Sequence, residues 1–214
     1  MAFVMSEFSG VDTWLFLVIN RSLQNPLFDL LMPILSTKRY ALLPAAVAIL
    51  MLMVWGGKRM WLVLAAGVLA VTLSDLGANL IKAELHRPRP CHVIADVHLL
   101  MGCTYSFSLP SNHASNMFAV ATVGWLGLRR WRWVLPLLAS GVAYSRVYVG
   151  VHYPGDVLVG ALWGAGIGWA CTVCAKRVLP EWLGATRPGA SAKPGDSSPR
   201  QHSRDTEGET RLIP

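Results

Sequence analysis

Three short segments of this 214-residue chain gather the residue types that bind phosphate and move protons: KAELHRPRP at 82–90, PSNH at 110–113 and SRVYVGVHYPGD at 145–156. They supply Lys82, Arg89 and Arg146 as cations, His113 and His152 as titratable groups, and Asp156 as a carboxylate. Guanidinium forks match the oxygens of a phosphate, and an ammonium adds a point charge. A helix beginning at Ser111 would direct backbone N–H donors and its positive dipole end at the same anion. Two histidines permit a division of labour in which one attacks phosphorus and the other protonates the departing oxygen. Asp156 follows His152 by four residues, so on a helical turn its carboxylate can bond Nδ1–H and leave Nε2 as the nucleophile. The cations would stabilise the pentacoordinate transition state, so neither a metal nor another cofactor is expected.

Taken singly, Lys82, Arg89 and Arg146 read equally well as interfacial anchors that snorkel to headgroups. Their joint spacing favours a site. His86, His92 and His98 lack that spacing and read as loop residues within reach of a headgroup.

The elements that must position these groups belong to a membrane protein. Hydrophobic residues make up 53% of the chain and charged residues 14%, with a mean hydropathy of +0.43, whereas soluble domains carry about a quarter charged residues. The net charge is +7, but the basic residues cluster between and after apolar runs, the pattern of cytoplasmic loops and not of a nucleic-acid face. No nucleic-acid partner is expected. The first ten residues, MAFVMSEFSG, lack a basic region and a small-residue cleavage site, so a cleaved signal peptide is not expected.

Hydrophobic segments at 40–55, 60–81, 111–128, 133–150 and 156–175 predict helical spans, with a long proline-containing polar connection at 82–110. Residues 1–38 are apolar but broken by Arg21, Asn25, Pro26 and Asp29, and read as interfacial or partly inserted helices, with a sixth span as the alternative. The expected fold is therefore all-α: a polytopic membrane helical bundle of five or six spans over 1–183, followed by a disordered cytoplasmic tail at 184–214, rich in Gly, Pro, Ser and charge. Lys58, Arg59, Arg129, Arg130, Arg132, Lys176 and Arg177 fall on one side if the spans alternate, which makes that side cytoplasmic. The three polar segments then meet at the outer face. Asp75, inside a predicted span, is either functional or bonded to Asn79 or a neighbouring helix. Cys91 and Cys103 can close a loop as a disulfide on the outer face, whereas Cys171 and Cys174 lie in an apolar helix and read as packing.

The three segments resemble the tripartite signature of the type 2 phosphatidic acid phosphatase superfamily, K-x-x-x-x-x-x-R-P, P-S-G-H and S-R-x-x-x-x-x-H-x-x-x-D. Lys82 with Arg89-Pro90 matches the first part, and Ser145-Arg146, His152 and Asp156 match the third. The middle part departs, with Asn112 where the signature has Gly; Asn tolerates a positive φ, and its amide can touch phosphate. The resemblance covers about residues 25–180. It implies a helical core of the phosphatidic acid phosphatase and vanadium haloperoxidase type, a phosphohistidine on His152, His113 as general acid, and Lys82, Arg89, Ser111 and Arg146 as phosphate ligands, with Asn112 beside them. The implied protein is a bacterial lipid phosphatase, multi-pass in the cytoplasmic membrane, with its site facing the periplasm or cell exterior. Its partners would be membrane lipids and a lipid phosphate substrate. Undecaprenyl diphosphate is the favoured substrate, with phosphatidylglycerophosphate and lipid A phosphates as alternatives. Transfer of the phosphoryl group to another hydroxyl, or a transporter or scaffold that only binds the phosphate lipid, are the competing functions.

Overall fold

The structure, a computed structural model, describes residues 2–55, 57–129 and 132–178; the expected tail at 184–214 lies outside them. Among the described residues the regular structure is helical, in the order α1 (Ala2–Leu17), α2 (Pro26–Ser36), α3 (Lys38–Trp55), α4 (Gly57–Leu85), the single turn α5 (Pro90–Val93), α6 (Asn112–Gly127), α7 (Val134–Tyr148) and α8 (Pro154–Val178). A π-helical turn, Val18–Ser22, continues α1.

Helix α6 is central and packs against α4, α7 and α8. Its contact with α8 is set by a glycine stripe. A Cβ at Gly160 would stand 2.6 Å from the Ser111 carbonyl oxygen, at Gly164 1.9 Å from that of Ser115, and at Gly168 2.5 Å from that of Ala119. Only residues without a side chain let the two backbones approach this closely, a packing mode suited to helices in lipid. Val63, Ala70, Ala119, Val123 and Cys171 fill the core beyond the stripe, so Cys171 is a packing residue.

Outward, α4 exposes Leu69, Leu73, Leu76 and Leu80, α7 exposes Leu137 and Leu138, and α8 exposes Leu158, Leu162 and Trp169. Such a continuous apolar exterior fits hydrocarbon and not water. The 29 residues of α4 span about 43 Å, more than the roughly 30 Å of hydrocarbon, which leaves length for its polar last turns around Lys82. By length and composition, Arg59–Val93 and Pro154–Val178 can cross a bilayer. With 16 and 15 residues, α6 and α7 reach about 24 and 22 Å, shorter than the expected spans because their flanks are polar or irregular.

The two ends of the bundle differ chemically. At one end Arg59 Nη2 donates to the Gly127 carbonyl at 3.2 Å and Lys176 Nζ to that of Leu126 at 3.4 Å. At the other lie the C-termini of α4 and α7 and the N-termini of α6 and α8, which carry the chemistry-bearing segments. Helices α1 and α2 pack onto this second end. Phe16 joins Val147 and Tyr153 in one apolar cluster, and Met32 joins Tyr148, Val149 and Val151 in another. The buried Asn20 binds both sides of the connection, its Nδ2 donating to the Tyr148 carbonyl at 2.8 Å and to that of His98 at 2.9 Å. Asn25 caps α2 by accepting from Phe28 N at 2.9 Å, with Pro26 in the first turn, where a missing N–H costs nothing.

Candidate active site

Local chain geometry brings the third segment back on itself. Arg146 and Tyr148 end α7, Gly150 turns the chain with φ of 87°, and Pro154 opens α8, so His152 hangs between two helix ends and Asp156 lies in the first turn of α8. A side chain at position 150 would collide with Val97 Cγ1 at 2.6 Å and approach the His98 carbonyl oxygen at 3.0 Å. The Ser111 N–H donates to the Asp156 carbonyl at 2.9 Å, tying the start of α6 to the start of α8. Through that link His113, half-buried in the first turn of α6, is held in a fixed relation to the His152 loop.

His152 is buried, with 2% of its side chain exposed, and Asp156 is fully enclosed. Arg89 Nη1 lies 3.0 Å from His152 Nε2 and donates to the Val151 carbonyl at 3.0 Å. A guanidinium is always a donor, so Nε2 must carry the lone pair and Nδ1 the proton. Nδ1 faces Ser108 Oγ at 3.4 Å and Asp156 Oδ2 at 3.5 Å. Asp156 therefore stands slightly too far for the short direct bond expected from the i, i+4 spacing. Ser108 Oγ fills the gap by bonding Asp156 Oδ2, which also accepts from Tyr153 N at 2.9 Å. Burial, opposed by Asp156 and aided by Arg89 and Arg146, pushes the His152 pKa down to about 3. The imidazole is neutral near pH 7.

Arg89 is fixed by its Nε donating to the Ser106 carbonyl at 2.8 Å and Nη2 to Ser106 Oγ at 2.9 Å. Lys82 Nζ donates to the carbonyls of Phe107 and Ser108, at 2.9 and 3.2 Å. Arg146 Nη1 donates to Ser36 Oγ and to the Ser36 carbonyl, so the end of α2 holds it. Lys82, Arg89 and Arg146 are all buried and within electrostatic reach of one another. Among the described residues, Arg146 Nε and Ser111 Oγ are buried without a hydrogen-bond partner. Three clustered cations, with the Arg146 Nε–H and the Ser111 hydroxyl left over as donors, suit a phosphate-sized anion.

Asn112 differs from its expected place. It is the first residue of α6 and is not among the positive-φ residues, His86 and Asp96. Its Nδ2 donates to Asp75 Oδ1 and Asn79 Oδ1, both at 2.9 Å, so the side chain leans toward α4. The close helix packing lets residue 112 start the helix directly, and no left-handed residue is needed. Asp75 accordingly has the helix-bridging role, binding Asn79, Asn112 and Asn116.

Several residues of the site carry no signal in the motif spacing. Arg87 Nη1 donates to Asp156 Oδ1 at 2.8 Å and its Nη2 to Asp12 Oδ2 at 2.6 Å, while the guanidinium stacks 4.2 Å from the Tyr153 ring centre. Asp12 Oδ1 also accepts from Gly155 N at 2.7 Å. Thus α1, Arg87 and the start of α8 form one charged clamp behind Asp156. Cys91 and Cys103 are joined in a disulfide, with Cα atoms 6.3 Å apart, closing the loop around His92. His98 Nε2 lies 2.9 Å from Asp29 Oδ1 and belongs to the scaffold of the connection.

The family model of the PAP2 superfamily matches residues 61–180. The lipid A 4'-phosphatase of Bacteroides thetaiotaomicron is 32% identical over 176 residues, covering 77% of each chain. The undecaprenyl-diphosphatase of Sulfolobus acidocaldarius is 37% identical over 101 residues, so the chain spans about half of that relative's length, 47%. The crystal structure of a transmembrane PAP2 type phosphatidylglycerolphosphate phosphatase from Bacillus subtilis shares the fold, with a TM-score of 0.61 and 22% identity over 83% of this chain and 89% of that one.

Proposed function

Because the chain belongs to the PAP2 superfamily, we propose that it is an integral-membrane lipid phosphatase acting through a phosphohistidine on His152. The observation that carries this reading is the buried cluster of Lys82, Arg89 and Arg146 around a neutral histidine whose Nε2 bears the lone pair, with Arg146 Nε and Ser111 Oγ unpartnered among the described residues.

In the proposed reaction the substrate phosphate takes Arg89 away from Nε2 and lies against Lys82, Arg146, Ser111 Oγ and the first N–H groups of α6, Asn112 among them. Nε2 attacks phosphorus, the bond to the lipid oxygen breaks, and His113 gives that oxygen its proton. Nδ1–H then faces Ser108 and Asp156, whose negative charge stabilises the imidazole as it becomes positive. Water attacks the phosphohistidine, His113 recovers a proton from it, and inorganic phosphate leaves. The cations act mainly on the charge that spreads over the equatorial oxygens of the transition state.

The basic ends of α4, α6 and α8 support an orientation with this site at the outer face of the membrane. A lipid can then keep its chains against the apolar exterior while its phosphate enters between the helix ends. The test is phosphate release by detergent-solubilised protein from undecaprenyl diphosphate, phosphatidylglycerophosphate and lipid A, with His152→Ala as control. Release from at least one, lost in a folded His152→Ala variant, is expected. A His152→Ala variant as fast as the wild type would overturn the mechanism.

A further inference from the structure

Next to the cation cluster lies a second polar group whose chemistry is opposite. Asp75 and Asn79 stand on α4, seven and three residues before Lys82, about 10 and 5 Å along the helix toward the middle of the bundle. Asn112 and Asn116 stand one turn apart at the start of α6. Asp75 accepts from Nδ2 of Asn79 at 3.1 Å and from Nδ2 of Asn112 and Asn116, each at 2.9 Å. The three carboxamides thus turn their donors inward to the carboxylate. Among the described residues, Asn112 Oδ1 and Asn116 Oδ1 are left without a hydrogen-bond partner although both atoms are buried. Asn79 is exposed and the other three are half-buried, with Leu76 and Leu80 exposed near Asn79 on α4.

Helix-to-helix bonding accounts for the carboxamide donors of this cluster and not for the two buried Asn112 and Asn116 oxygens. Buried acceptors without a partner are costly unless a donor reaches them. Their position selects what that donor can be. A lipid whose phosphate sits at Lys82 must run its remaining part toward the bilayer, past the turn of α4 that holds Asn79. In the proposed mechanism His113, which follows Asn112 in α6, protonates the oxygen that this part of the lipid keeps.

We propose that Asp75, Asn79, Asn112 and Asn116 form a subsite for the alcohol that bears the phosphate, and that this alcohol presents hydroxyl or amide donors, as a glycosyl or glyceryl group does. A bare prenyl chain offers nothing to the Asn112 and Asn116 oxygens. A second phosphate would face the Asp75 carboxylate. The inference rests on the phosphatase reading and narrows its substrate class, against the preference for a polyprenyl diphosphate drawn from the sequence.

The test compares kcat/KM for three lipids in the same micelles: a phosphorylated acyl-glucosamine disaccharide, phosphatidylglycerophosphate and farnesyl diphosphate. The wild type should favour one of the first two over the third by at least tenfold. Asn116→Leu should cut that ratio at least tenfold, and the isosteric Asp75→Asn should shift it toward the diphosphate. A cluster that merely holds α4 to α6 would lower all three rates in proportion, and constant ratios in both variants would overturn the proposal. So would a wild type that prefers farnesyl diphosphate. The first two lipids distinguish a sugar from a glycerol as the donor. Release of phosphate from none of the three by folded wild type would instead overturn the phosphatase reading, and the subsite with it.

Discussion

Replacing Gly164 by Ala adds one methyl group where the structure has least room for it. The new Cβ would lie 1.9 Å from the Ser115 carbonyl oxygen and 2.7 Å from its carbon, against 3.4 Å for an ordinary close contact, a deficit of about 1.5 Å. The obstacle is backbone, so no rotamer change relieves it and α8 must move away from α6. Overpacking typically costs about 1–3 kcal/mol, and a backbone obstacle belongs at the upper end, about 3 kcal/mol. Gly166, two residues on in the same helix, has nothing among the described residues within 4 Å of where a Cβ would stand, and Ala there should gain up to about 1 kcal/mol of helix propensity. The two variants, identical in composition, should differ by about 4 kcal/mol in detergent-solubilised unfolding followed by far-UV circular dichroism. Because the same contact registers His113 against His152, a shift of about 1 Å should also reduce kcat by about a hundredfold in the Gly164 variant. Equal stability and equal turnover in the two variants would refute the packing argument.

Two further outcomes follow from the groups around His152. Arg87→Lys removes the fork that joins Asp12 to Asp156, and a charge-assisted bond of about 1.5–3 kcal/mol predicts a kcat lower by roughly ten- to a hundredfold with KM little changed, since Arg87 positions Asp156 and does not touch phosphate; a rise in KM alone would contradict that role. Unfolding releases a histidine that protonates near 6.5 from a site that resists protonation until about 3, so stability contributed by neutral His152 is complete above pH 6.5 and is lost as pH falls toward 3. At pH 5.5 the loss is about 1 kcal/mol, and thermal unfolding of His152→Gln should show a correspondingly weaker dependence on pH between 7 and 5; identical pH profiles would contradict the buried neutral imidazole.

The parts of the site that were legible in the sequence are those whose chemistry depends on residue type and local spacing. Lys82, His113, Arg146 and Asp156 stand near helix ends that apolar run lengths mark out, Arg89 and His152 stand in the polar connections between them, and the structure gathers all six at one end of the bundle. Their supports were hidden because they act through space. Asp12 meets Arg87 across 75 residues, Ser36 meets Arg146 across 110, and Ser108 meets Asp156 across 48. Nothing in a local pattern distinguishes these side chains from loop serines or surface charges. Residues 1–38 illustrate the same limit. Their broken hydrophobicity indicated interfacial helices, but only tertiary packing reveals that they hold Arg146 from one side and Arg87 from the other. The Asn112 substitution was visible, while its consequence required knowing that Asp75 and Asn79 face it from α4.

The phosphohistidine is detected by quenching the protein during turnover of a lipid substrate carrying labelled phosphate and looking for label bound to the polypeptide. An acid-labile, base-stable phosphoenzyme that maps to His152 and disappears in His152→Ala is expected. Label on another residue, or turnover with no covalent label in a sample quenched before the first cycle ends, would contradict it.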